Sequence, residues 1–192
     1  MSMAMAPAIV FQALVATWII SELLIGRRRA ADRGKAHDRG TLRMLHLAIY
    51  ASVGFGGWMA FRGIGYFPAG VRAALSWAGC GSMALGIALR WWSVRVLAEH
   101  FTVDVDIRPG HQLVRRGPYR LLRHPSYSGA LLTFYGFALA LGSGASLLLI
   151  AVVVTAAFLW RIHVEERALK RAFGAAYDDY ARNTWRLLPC LW

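Results

Sequence analysis

The stretch YSGALLTFYGFALALGSGASLLLIAVVVTAAFLW, from Tyr127 to Trp160, carries no formally charged residue. Gly142-Ser143-Gly144 interrupts it, so it reads as two apolar helices, Tyr127–Leu141 and Ala145–Trp160, joined by a tight helical-hairpin turn. At 1.5 Å per residue each would be roughly 22 to 24 Å long, short of the ~30 Å hydrocarbon core of a bilayer. Flanking residues, local thinning or burial against neighbours must complete the crossing. Further out lie three more runs. Ala8–Ile25 is apolar except for Gln12, Thr17, Ser21 and Glu22, and the cluster Arg27-Arg28-Arg29 follows it. Met44–Phe61 has no formal charge, and Val71–Trp92 has only Arg72 and Arg90, near its ends, where both are expected to snorkel to the interface.

Composition agrees with that pattern. The 192 residues are 57% hydrophobic and 17% charged, with mean hydropathy +0.43, which excludes disorder and an ordinary soluble domain. The net charge of +12 fits either nucleic acid or a membrane surface, and its distribution decides between them. Of 22 Lys and Arg, seven lie in Arg27–Arg43, seven in Arg90–Arg123 and six in Arg161–Arg186, leaving only Arg62 and Arg72. Five spans put 20 of the basic residues on one side, as the positive-inside rule requires with the N-terminus out and the C-terminus cytosolic. Nucleic-acid binding therefore loses its main support. The expected fold is a single all-α integral membrane domain, residues 1–192, with about five transmembrane helices near 8–25, 44–61, 71–92, 127–141 and 145–160. A C-terminal amphipathic cytosolic helix completes it. The first run, followed rather than preceded by arginines, reads as a retained signal anchor. Cys80 and Cys190 suggest neither a disulfide framework nor a zinc site, and no metal is expected.

Two polar stretches stand beside these spans. His111–Gly129, HQLVRRGPYRLLRHPSYSG, has a Gly117-Pro118 turn and a His124-Pro125 step, with Pro125 suited to the first turn of a helix. It reads as an interfacial belt of arginines and tyrosines on lipid headgroups, or as a binding site that needs rigid turns and fixed donors. Arg161–Tyr180, RIHVEERALKRAFGAAYDDY, has helical amphipathy: Ile162, Leu169, Phe173, Ala176 and Tyr180 share an arc, with Arg167 and Arg171 opposite. Arg161 and Glu165, spaced i, i+4, either form a salt bridge on an interfacial helix or reach a common site beside the fifth span. Glu166 and Lys170 read as a plain intrahelical pair.

The pattern H-x-L-V-x-x-G-P-Y-R-x-x-R-H-P-S-Y-x-G, followed by R-I-x-x-E-E-x-x-L and F-G-x-x-Y-x-x-Y, resembles the isoprenylcysteine carboxyl methyltransferase family. The likeness runs from His111 to about Tyr180; the first 70 residues match by hydropathy alone. It implies an integral-membrane methyltransferase using S-adenosylmethionine, with the cofactor region in residues 100–127 and 161–186. Carried over, it puts His111, Gln112, Leu113, Val114, Tyr119, His124, Pro125, Ser126, Tyr127 and Glu165 on cofactor. Arg161 falls on the substrate-binding position, and Arg123 joins it as a candidate catalytic residue. Asp104 or Asp106 is a further, weaker match to an acidic position that touches cofactor. These residue types suit the chemistry: a cofactor with a sulfonium, an ammonium and an adenine wants a carboxylate, aromatic faces and backbone donors. The expected acceptor is a lipophilic small molecule or lipidated substrate from the membrane, foremost a carboxylate, with a lipid amine or small thiol as alternatives. A sterol-reductase-type enzyme using NADPH, with Arg115, Arg116, Arg120 and Arg123 serving phosphates, and a non-enzymatic scaffold remain open. The short five-span form looks prokaryotic, which would place it in an inner membrane.

Overall fold

The computed structural model describes residues 2–30, 39–97 and 113–189. His111, Gln112, Asp104, Asp106 and Cys190 lie outside them. Six α-helices run through the described residues: α1 (Ser2–Ala30), α2 (Arg39–Phe61), α3 (Ala69–Leu97), α4 (Pro125–Ala140), α5 (Gly144–Phe173) and α6 (Ala175–Arg182). A 3-10 turn at Gly117–Arg120 precedes α4. Among the described residues, three helices are long and apolar enough to cross a membrane, over Ala6–Arg27, Leu42–Phe61 and Gly144–Phe173, where five spans were expected. Large apolar side chains such as Ile20, Leu23, Leu47, Phe55, Leu85, Leu148 and Val152 point outward, as a lipid-facing surface demands. The protein is an all-helical membrane protein.

Local sequence sets the helix ends. Pro125 opens α4, where its missing N–H costs nothing, and Ser143 caps α5 by accepting from Ser146 N at 3.1 Å. Gly142 turns the hairpin at φ +73°, a left-handed conformation that needs no Cβ. The hairpin meets the α2–α3 connection: Phe67 N donates to Gly142 O, Gly144 N to Gly65 O, and Ser143 Oγ to Ile64 O. One end of the bundle is therefore built by residues 62–68 and 141–144, and the polar motifs gather at the other.

The last apolar run and the start of the second motif are one rod. α5 continues without interruption from Gly144 to Phe173, so Arg161 and Glu165 are held rigidly beneath the apolar segment. Its break at Gly174, φ +52°, means that 161–180 is not a single amphipathic helix. Ile162 and Tyr180 of the expected arc are buried, but Ala176 is exposed, because α6 starts afresh with its own facing.

Glycines bring α3 and α4 together. A Cβ on Gly136 would stand 2.6 Å from Gly79 O and Met83 N, and one on Gly129 would stand 2.7 Å from Gly86 O and Arg90 N. The backbones touch because Gly79 with Gly86 and Gly129 with Gly136 repeat at seven residues, a small-residue seam of the kind that replaces hydrophobic driving force in lipid. The apolar core lies between α4 and α5, around Ala130, Phe134, Ala138, Ile150, Val154 and Phe158. Trp18 of α1 packs edge-on against Phe134, with ring centroids 4.8 Å apart.

Arg90 corrects one expectation: its side chain does not snorkel to the interface. It is buried against Glu22 of α1, because a carboxylate from the neighbouring helix offers a closer partner than headgroups. Arg72 behaves differently, lying over the Tyr66 ring, 5.3 Å from its centroid.

Candidate functional site

The chain enters the site at Leu113 and Val114, both half-buried. Gly117, at φ +58°, lies flat on Val96 of α3, and Pro118 starts the 3-10 turn that buries Tyr119. Residues 121–124 then run alongside the C-terminal segment. Trp185 N donates to Leu121 O at 2.9 Å, Arg123 N to Trp185 O at 2.7 Å and His124 N to Arg186 O at 3.2 Å. Ser128 Oγ adds a bond to Leu187 O at 2.6 Å, and Tyr180 Oη one to Tyr119 O at 2.8 Å. The first motif is thus strapped between α3 and the chain after α6, and its turns are fixed from both sides.

Across from it stands α5. Tyr127 Oη donates to Glu165 Oε2 at 2.7 Å, with the Arg161 guanidinium beside it. Arg161 is 1% exposed, an almost complete enclosure for a guanidinium. His124 stacks on Tyr127 with centroids 5.6 Å apart and planes 12° apart, and the Phe158 ring packs tilted against Tyr127 at 5.2 Å. A buried cation, a carboxylate and a wall of aromatic rings therefore converge where α4 begins and α5 leaves the apolar core.

Charge is balanced on the flank facing α6 and the C-terminal segment by Glu166. His124 Nε2 lies 3.3 Å from its Oε1, Arg123 Nε lies 3.5 Å from the same oxygen, and Arg186 donates from Nε at 3.2 Å and from Nη2 to Oε2 at 3.0 Å. The expected pairing of Glu166 with Lys170 is not what the fold uses. Lys170 reaches Asp178 of α6 instead, at 3.0 Å, because Glu166 points inward to three enclosed partners that outweigh one exposed ammonium. The Glu-Glu pair of the motif was the available signal: adjacent helical residues point about 100° apart, so each carboxylate serves a different neighbour. Arg123 accordingly faces Glu166 and the α6 side of the site.

Burial pushes the phenols of Tyr119 and Tyr180 well up, and for Tyr119 the Glu165 carboxylate pushes the same way, so both stay neutral. Ser126 is held by Arg90, with Nη1 donating to Oγ at 3.1 Å and to the carbonyl at 3.3 Å. Arg115 bonds Asp179 Oδ2 at 3.0 Å and Ala176 O at 2.7 Å, and lies over the Tyr180 ring. Of the four arginines considered for phosphates, Arg115 and Arg123 are thus engaged by carboxylates, while Arg116 and Arg120 are exposed. Sequence reasoning missed Glu22, Arg90 and the role of Arg186, since their partners are 68, 36 and 20 residues away.

Protein-S-isoprenylcysteine O-methyltransferase B of Arabidopsis thaliana is 40% identical over 101 residues, covering 52% of this chain and 51% of that protein. A probable protein-S-isoprenylcysteine O-methyltransferase of Oryza sativa subsp. indica is 32% identical over 117 residues, 60% of this chain and 61% of its own length. The chain spans about half to three fifths of the length of these relatives. The solved structure of the eukaryotic intramembrane Ras methyltransferase, an isoprenylcysteine carboxyl methyltransferase, superposes with a TM-score of 0.63 at 25% identity, over 74% of this chain and 52% of that one. The family model for phospholipid methyltransferase matches residues 74–176, more than half of the sequence and the whole of α4. The chain therefore belongs to the phospholipid methyltransferase family, with isoprenylcysteine O-methyltransferases among its relatives.

Proposed function

We propose that this protein is an S-adenosylmethionine-dependent methyltransferase of the membrane that esterifies a lipophilic carboxylate, of the kind carried by a prenylated C-terminal cysteine. The observation that carries the reading is Arg161, almost wholly buried beside Tyr127, whose hydroxyl is bonded to Glu165 one helical turn on from Arg161. The residues suit both reactants. Glu165 offers a carboxylate to the cationic end of the cofactor, His124, Tyr119 and Tyr127 offer ring faces, and the Leu113–Val114 backbone offers donors. When bound, S-adenosylmethionine supplies the activated methyl group. Pro125 and Ser126 fix the turn that presents Tyr127, and neutral tyrosines avoid adding negative charge beside Glu165.

Arg161 is the natural partner for an anionic acceptor, through charge-assisted and often bidentate hydrogen bonds. A carboxylate is already ionised at neutral pH, so positioning near the methyl donor, rather than deprotonation, is what the residues must supply. A strong grip on the ground-state anion would work against rate, which assigns Arg161 to orientation. Arg123, turned to Glu166, acts on the acceptor only through the frame it shares with His124 and Arg186. An amine or thiol acceptor would find no use for an enclosed guanidinium, and the engagement of Arg115 and Arg123 removes much of the support for a phosphate-rich cofactor.

The acceptor is proposed to enter from the bilayer, and the cofactor from the cytosol, with five crossings, N-terminus out and C-terminus in. The meeting of residues 62–68 with 141–144 supports that alternation, since helix ends two crossings apart share one side. The test separates the two roles. In detergent-purified protein, Glu165→Gln is expected to weaken S-adenosylmethionine binding at least tenfold, from loss of a charge-assisted contact of about 1.5–3 kcal/mol. Arg161→Ala is expected to leave binding nearly intact and to abolish turnover. With methyl-labelled cofactor and a prenylcysteine acceptor, the product should release labelled methanol in base, as an ester does. Equal loss of cofactor binding in both variants, or a base-stable label, would refute the assignment.

A further inference from the structure

We propose that Arg90 of α3 is a positioning residue for the turn that opens α4, and that Glu22 of α1 is its required counter-charge. The functional half of this inference rests on the methyltransferase reading above.

The guanidinium is divided between two partners. Nε and Nη2 take the Glu22 carboxylate in a fork, with Nη2 to Oε2 at 2.8 Å, and Nη1 takes both Oγ and the carbonyl of Ser126. One planar group thus joins the first, third and fourth helices at a single point. Ser126 lies between His124 and Tyr127, whose rings are stacked, and Tyr127 in turn bonds Glu165. A displacement at Ser126 is passed directly to the ring wall and to the carboxylate that face the proposed cofactor.

Glu22 is needed for an electrostatic reason. Arg90 bonds the first turn of α4, the positive end of that helix dipole, where a lone cation is disfavoured. It is also buried among apolar helices, where an uncompensated charge is expensive and ionisable groups are retained for a purpose. The paired carboxylate removes both penalties. Ordinary helix-to-helix adhesion would explain a salt bridge between α1 and α3, but not the two further donations to one residue of the motif. Arg90 and Ser126 fall within the matched family stretch 74–176 and Glu22 falls outside it, so the carboxylate that takes Arg90 comes from α1, beyond the family stretch.

The experiment uses the full chain in detergent with four variants: Glu22→Gln, Arg90→Gln, the double substitution and Arg90→Lys. S-adenosylmethionine affinity by calorimetry, kcat at saturating cofactor, and hydrogen exchange of the peptide spanning residues 123–131 are measured for each. Both single variants should lose about tenfold in cofactor affinity, with kcat within about twofold, and should show faster exchange in that peptide. Arg90→Lys should not rescue, because an ammonium cannot fork across two partners. The double variant should be no worse than Glu22→Gln, since the stranded cation is gone. Additive losses, a fall in kcat with unchanged affinity, or unchanged exchange would overturn the proposal. Should Glu22→Gln fail to fold, Ser126→Ala removes one Arg90 contact and keeps the ion pair; it should fold and lose affinity a few-fold, and unaltered affinity would count against the clamp. If the unsubstituted protein binds no S-adenosylmethionine, the methyltransferase reading fails on its own account. The clamp then stands or falls on whether Glu22→Gln accelerates exchange at residues 123–131.

Discussion

Glu166 shows how much a single side chain organises. Its two oxygens face His124, Arg123 and Arg186, which come from the connection before α4, the same connection, and the chain after α6. Removing it would leave two guanidiniums enclosed and facing one another, a situation that costs about 3–5 kcal/mol when a buried partner is deleted. Glu166→Gln should therefore lower the unfolding midpoint strongly in a thermal melt, while Lys170→Ala, which breaks only the exposed contact with Asp178, should cost at most about 1 kcal/mol. Comparable shifts in the two would contradict the inward assignment of Glu166. The spacing of Glu166 and Lys170 allowed their pairing, and only the placement of Arg123 and Arg186 made another choice better. Glu165 differs from its neighbour by one residue and one helical step, and it takes the Tyr127 hydroxyl on the other side of the helix from that cluster. That difference fits Glu165 for a cationic ligand and leaves Glu166 to the frame.

Among the elements, the α3–α4 pair bears most directly on the site, because the seam that joins them ends at Arg90 and Ser126. Its glycines are not interchangeable with others on the same helix. Gly136→Ala puts a methyl 2.6 Å from backbone atoms of Gly79 and Met83, which cannot move aside as a flexible side chain can. The helices must part, at a cost of about 1–3 kcal/mol. Gly81→Ala meets nothing within 4 Å and should be neutral or stabilise by up to about 1 kcal/mol through helix propensity. Detergent unfolding of the two variants checks this, and a destabilised Gly81→Ala with an unaffected Gly136→Ala would reverse the reading. The continuity of α5 matters in the same way: one uninterrupted rod carries both the apolar core, through Ile150, Val154 and Phe158, and the polar pair Arg161 and Glu165. A flexible joint between span and motif would not hold a guanidinium in so enclosed a place.

For the molecule as a whole, the separation of its two ends gives a topological prediction. Residues 62–68 and the hairpin at 141–144 form one end; the strapped motifs, α6 and the chain after it form the other. With Cys80 and Cys190 replaced, Arg62→Cys and Asn183→Cys should react with a membrane-impermeant maleimide from opposite faces of sealed vesicles, Asn183→Cys from the cytosolic one. Labelling of both from one face would refute the five-crossing arrangement. The sixteen residues of α4, about 24 Å, are short for a bilayer alone, and burial between α3 and α5 is what lets so short a helix lie in the interior.

The amino-acid sequence by itself determined the helical membrane class, because runs such as Met44–Phe61 cannot be satisfied in water and backbone groups in lipid must bond within a helix. It also located both polar motifs, and it fixed the hairpin turn through Gly142 and the opening of α4 through Pro125, since these depend on neighbours within one turn. Tertiary structure decided the partners. Whether Glu166 met Lys170 or Arg123, and whether Arg90 reached headgroups or Glu22, depended on groups brought close by folding across tens of residues. Ion pairs fall off with distance in space and are indifferent to distance along the chain, so spacing alone could propose them without choosing among them.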